Sequence, residues 1–84
     1  MKYRLLVEMG VIEFLDALPQ RVRQSLRNRF AQILKHPGDC ADYSAKDESG
    51  RELDVHVFQG YAIFYWDDFA DRHVKILAFH NADR

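Results

Sequence analysis

The sequence predicts an α+β fold: a two-helix hairpin packed on one face of a largely antiparallel four-stranded sheet, in the order β-α-α-β-β-β. Three observations predict it. Arg51–Trp66 alternates apolar and polar residues, breaks at Gln59-Gly60, and resumes as a β-branched and aromatic run, the pattern of a β-hairpin. Pro19–Lys35 carries Val22, Leu26, Phe30, Ile33 and Leu34 on one stripe at helical spacing. Helical and strand-like segments are grouped along the chain instead of alternating, so a sheet with helices gathered on one face is expected.

Taken in order, Tyr3–Glu8 reads as a first strand, closed by Gly10. Val11, Phe14, Leu15 and Leu18 follow the spacing of a short amphipathic helix. Pro19 interrupts that pattern and suits the first turn of the next helix, which His36-Pro37-Gly38 stops. With so short a connection the two helices form an αα-hairpin. Asp39–Gly50 is polar and reads as a long loop, functional or mobile. The hairpin follows, then a turn at Asp67–Arg72 and a last strand at His73–His80. The first strand pairs within the same sheet, beside a strand the sequence does not specify.

The 84 residues form a single domain, 1–84, with 48% apolar residues, enough for a core without covalent staples. The lone cysteine, Cys40, has no partner for an internal disulfide, which fits a reducing compartment. No stretch approaches the ~20 apolar residues of a membrane span. Met1-Lys2-Tyr3-Arg4 leads straight into a strand, so no signal peptide is read and a cytoplasmic protein is expected. A net charge of −1 argues against strong non-specific binding of nucleic acid by the whole molecule.

Candidate functional residues fall into three groups. Alternation places Leu53, Val55 and Val57 on one face; joined by Tyr61, Ile63 and Tyr65 they make the core face. Glu52, Asp54, His56 and Phe58 then share the other face with Ala62, Phe64 and Trp66. There Phe58, Phe64 and Trp66 form an aromatic patch suited to a partner, or to a second copy of the chain. Asp54 and His56, with His80 at the end of the last strand, are the material of acid–base chemistry. Arg21, Arg23, Arg27 and Arg29 give the second helix a basic face, able to meet an acidic partner segment or simply be solvated. His56, His73 and His80 lack metal-ligand spacing, so neither metal nor cofactor is expected.

Element order and residues together resemble the RelE/ParE superfamily of small bacterial toxins, many labelled plasmid stabilisation proteins. The carrying features are the strand Tyr3–Val7, Phe14–Pro19 leading into Arg21–Leu34, and His36-Pro37 at the helix end. Arg51–Val55, Gly60–Tyr65, and Val74–Leu77 followed by His80–Arg84 complete the match, which spans the chain. The resemblance implies a toxin from a type II toxin–antitoxin module, neutralised by a cognate antitoxin whose segment wraps it. RelE-like members cut mRNA on the ribosome; ParE-like members inhibit DNA gyrase. Positions where the nuclease pattern places arginines read Ala62, Asp54 and Asn81 here, and Asp54 would repel a scissile phosphate. A ParE-like toxin gripping a protein target is therefore the first expectation. A ribosome-dependent mRNA endonuclease, with Asp54, His56, His80 and Arg84 as its candidates, is the second, and an inactive interaction module the third.

Overall fold

The computed structural model describes residues 3–82. Its elements are β1 (Arg4–Val7), α1 (Met9–Asp16), α2 (Gln20–Lys35), the single turn α3 (Pro37–Cys40), β2 (Tyr43–Lys46), β3 (Glu52–Phe58), β4 (Tyr61–Asp68) and β5 (His73–Asn81). They build one sheet in the order β1-β5-β4-β3-β2. β1 runs parallel to β5 at one edge, and every other neighbour pair is antiparallel.

The sheet thus has five strands, one more than expected, because the Asp39–Gly50 stretch is not a plain loop. Tyr43, Ser44, Ala45 and Lys46 pair with Val55, Asp54, Leu53 and Glu52. So short a run with one aromatic residue carries almost no strand signal; the pairing with β3 makes it a strand. The turn into β3 is held by Asp47, whose carboxylate accepts the backbone N–H groups of Ser49 and Arg51 at 2.9 Å each. Gly50 sits at φ +86°, open to glycine without steric cost.

The helical layer packs on one face of the sheet. Val11 and Leu15 of α1 and Leu26, Phe30 and Ile33 of α2 meet Ile63 and Tyr65 of β4 and Val74, Ile76 and Phe79 of β5. Phe79 is met edge-on by Phe14 at 4.9 Å and Phe30 at 6.3 Å, and stacked by Tyr61. The α3 turn lies on the same face: Cys40 packs against this core, and the Tyr65 hydroxyl donates to the Pro37 carbonyl. Every helix serves one core, so the opposite face carries none. No described helix is long and apolar enough to cross a membrane.

The sides of β3 are the reverse of the sequence expectation. Gln59 and Gly60 both have positive φ, 51° and 82°, the geometry of a two-residue hairpin turn. Such a turn sets Phe58 directly opposite Tyr61, His56 opposite Ile63 and Asp54 opposite Tyr65. Directly opposed residues share a face. Asp54, His56 and Phe58 therefore point to the helical side, while Val55 and Val57, opposite Phe64 and Ala62, point away from it.

Truncation should separate the two sides. Ile33→Ala, at a fully buried position of the helix–sheet core, is expected to cost about 2–5 kcal/mol in urea unfolding. Leu6→Ala, at a position 43% exposed, should stay within about 1 kcal/mol.

Candidate functional site

The helix-free face is the candidate site. Pairing assembles it from Tyr43 and Ala45 of β2, Leu53, Val55 and Val57 of β3, and Ala62, Phe64 and Trp66 of β4. Lys75, Ala78 and His80 of β5 lie beside Trp66, Phe64 and Ala62, and Leu6 of β1 lies beside Lys75. Leu53 and Val55 are buried on this side without any helix above them, whereas Val57 and Tyr43 stay exposed. The result is an apolar, aromatic floor.

Two cations rest on Trp66. The Arg51 guanidinium lies 4.4 Å and the Lys75 ammonium 4.8 Å from the ring centroid, both within cation–π range. Each is also held by a carboxylate: Arg51 Nε by Asp47 at 3.1 Å, and Lys75 Nζ by the buried Asp68 at 3.1 Å. Lys75 donating to Asp68 holds that carboxyl below the ordinary range, against its partial desolvation. The Ser49 hydroxyl, with the Arg51 backbone and side chain, brings Asp47 down to about 2. His80 is exposed at the strand end, its ring 5.0 Å from Phe64 and its Nδ1 3.2 Å from the Asn81 carbonyl oxygen.

Of the expected site residues, Phe64, Trp66 and His80 lie on this face. Phe58 does not: it packs against the helix–sheet core with the Arg29 guanidinium 4.2 Å above its ring. His56 is turned the same way, its Nδ1 3.1 Å from Asp42 Oδ2, an oxygen that also accepts the Val57 N–H at 2.7 Å. Its Nε2 is buried with no partner. Asp54 is half-buried on that side, and desolvation, then the charges of Asp67 and Glu52, push its carboxyl up. The expected grouping of Asp54, His56 and His80 is thus split by the sheet. Arg84 lies outside the described residues.

The helix arginines are on the opposite layer from Phe64 and Trp66. Arg23 donates to the Asp16 and Leu18 carbonyls at 3.3 Å, fastening the corner between α1 and α2, and Arg27 sits 3.8 Å from Asp16. Arg21 has no hydrogen-bond or ion-pair partner among the described residues. Only part of that basic face is therefore free for a partner. Sequence reasoning missed Arg51, Lys75 and Asp68 as open-face residues. The signal was present in Gln59-Gly60, since a two-residue turn fixes which residues oppose one another. No cluster of three or more His, Cys, Asp or Glu side chains is placed to hold a metal among the described residues.

A two-helix hairpin on one side of this sheet, with the other side open, is also the fold of solved RelE structures. Two solved structures carry the likeness. A chain of the archaeal RelE–RelB complex from Pyrococcus horikoshii OT3 superposes with a TM-score of 0.80 over 100% of this chain and 99% of that one, at 20% identity. The E. coli toxin RelE, an arginine-to-alanine double mutant in the free state, gives a TM-score of 0.67 over 99% and 86%, at 19% identity. The sequence matches no protein-family model and no curated protein.

The carboxylates behind the cations give the site a readable acid response. Both Asp47 and Asp68 have depressed values in the fold, so their stabilisation is complete above the ordinary 3.8 and is lost as the pH falls; for Asp47 that window runs down to about 2. Asp54, raised, works in the reverse sense and favours the fold on the acid side. Carboxyl NMR titration should find Asp47 near 2, moving back toward 3.8 in Ser49→Ala.

Proposed function

We propose that this chain is the toxin of a type II toxin–antitoxin module, acting through its open sheet face on a protein target of the gyrase class. A cognate antitoxin holds it inactive. The fold it shares with a chain of a RelE–RelB complex and with E. coli RelE supports the toxin reading and the expectation of an antitoxin partner. The observation that carries the target reading is the state of the open-face cations. Arg51 and Lys75 are each laid on Trp66 and each satisfied by a carboxylate. RNA cleavage by attack of a 2′-hydroxyl needs an unengaged cation aimed at the phosphorane, worth a few kcal/mol of transition-state stabilisation. At Trp66 both cations are neutralised in place, and Arg4, exposed on the same face at the sheet edge, is set apart from them; Val57, Phe64 and Trp66 offer the aromatic and aliphatic surface that anchors protein contacts.

A ribosome-dependent mRNA endonuclease is the second reading, favoured by one specific observation. Asp54, whose charge would oppose a phosphate, points to the helical side, and the exposed imidazole of His80 shares the open face with Arg51 and Lys75. In that reading His80 moves the proton and the cations orient the RNA backbone.

Induced expression, with and without the small acidic protein expected to be encoded beside it, separates the two. The first reading expects growth arrest with altered DNA supercoiling, translation intact, and rescue by the neighbour. Phe64→Ala with Trp66→Ala, removing two aromatic anchors, should relieve the arrest at least ten-fold in colony count, and His80→Ala should leave it unchanged. A translation block lost in His80→Ala would establish the nuclease instead. No growth phenotype at all would leave an inert interaction module.

A further inference from the structure

The open face has a second feature that the stacked cations do not use. A groove of about 650 Å³ crosses it, floored by Leu53, Leu77 and Ala78 and rimmed by Glu8 on one side and Glu48 on the other. Leu6, exposed and on the same face, extends the apolar surface toward the sheet edge. Arg51 and Asp47 also line the groove, but they are paired with each other. Glu8 and Glu48 are exposed and have no hydrogen-bond or ion-pair partner among the described residues. The groove is therefore apolar below and uncompensated negative charge above.

We propose that this groove is the docking site for a basic, leucine-bearing segment of a protein partner. The inference deepens the reading of the open face as a protein-contact surface and supplies the partner's chemistry. Charge complementarity selects the occupant. A polyanion carries one charge per nucleotide and would meet Glu8 and Glu48 in a groove whose one lining cation among the described residues, Arg51, is already paired with Asp47. A peptide with a Lys or Arg at each end of a short apolar run places a cation against each rim carboxylate, with its aliphatic side chains on Leu53, Leu77 and Ala78. Both ion pairs stay at the rim, where they set orientation and association rate, while the apolar floor carries the affinity.

The test uses the purified full chain and a fluorescein-labelled peptide in which two arginines bracket two leucines. The comparison probes are the same peptide with glutamine or glutamate for arginine, and a short RNA oligomer. The arginine peptide should bind, shift the backbone amide resonances of Leu53, Leu77 and Ala78, and weaken as salt is raised. The double variant Glu8→Gln, Glu48→Gln should lower its affinity about five-fold, the sum expected of two exposed ion pairs. The pair Glu13→Gln, Asp39→Asn, with the same change in net charge away from the groove, should leave it unaltered. Each variant is first shown to keep the wild-type amide spectrum outside the groove.

Equal binding of the glutamine or glutamate peptide overturns the inference. So does RNA shifting the same amides, equal loss in the control pair, or self-association of the chain through this face. These outcomes are separable from those of the growth assay. Arrest with no groove binding sinks this inference alone; groove binding with no arrest sinks the toxin reading and leaves the groove.

Discussion

The turn at Gln59-Gly60 is the constraint on which the rest of the structure depends. Both residues hold positive φ, which lets β3 and β4 join through only two residues. That length fixes the register, and register in a sheet decides which side every side chain of the strand takes. A loop one residue longer would exchange the two sides of β3, sending Asp54 and His56 to the open face and Leu53, Val55 and Val57 toward the helices. The character of the candidate site is thus set at a point remote from Trp66 and its cations.

The apolar side of β3 faces away from the helices because the helical layer is narrower than the sheet. The core assembled from α1 and α2 takes its buried strand residues from β4 and β5, and of β3 only the end residue Phe58 packs against it. On the helical side of β3 the chain is covered instead by the connection from α3 to β2. A polar set closes that side: Asp42 accepts from His56 and from the Val57 N–H, and Tyr65 donates to Pro37. Those bonds offset part of the cost of burying polar groups, although His56 Nε2 stays buried without a partner. Leu53 and Val55 on the other side are covered by neighbours on their own face, where β2 places Ala45 and Tyr43 beside them and β4 places Phe64 beside Val55. The sheet carries a second, shallow apolar layer of its own making.

How much of this was legible follows from where the information sits. The amphipathic stripe from Val22 to Leu34 and the hairpin were written in local periodicity, and the structure has α2 at Gln20–Lys35 and the hairpin in β3 and β4. β2 was not written locally: Tyr43–Lys46 is a strand because β3 offers it an edge, a fact about tertiary pairing that residue types do not encode. The parallel placement of β1 beside β5 is likewise a property of the whole layer. The side assignment of β3 is a different case. Its determinant, a two-residue turn, was in plain view. Placing Leu53, Val55 and Val57 on the helical side amounts to assuming that the most apolar strand face is the one the helices cover. That assumption fails wherever a sheet extends past its helices.

The side assignment also changes which physical argument bears on activity. With Asp54 turned inward, phosphate repulsion by its carboxylate no longer counts against an RNA substrate. What replaces it is the arrangement at Trp66. A guanidinium and an ammonium on one indole look at first like a site waiting for an anion, yet each has its own counter-charge at 3.1 Å. An incoming phosphate would have to compete with Asp47, whose carboxyl is held down at about 2 by a web of donors, and with the buried Asp68. Displacing Asp68 from Lys75 would leave its charge buried without that partner, which costs far more than an exposed ion pair returns. Both cations are thereby held between the indole and a carboxylate. At Trp66, then, the charges hold an aromatic side chain in place, and a phosphate could use those cations only by displacing the carboxylates that hold them.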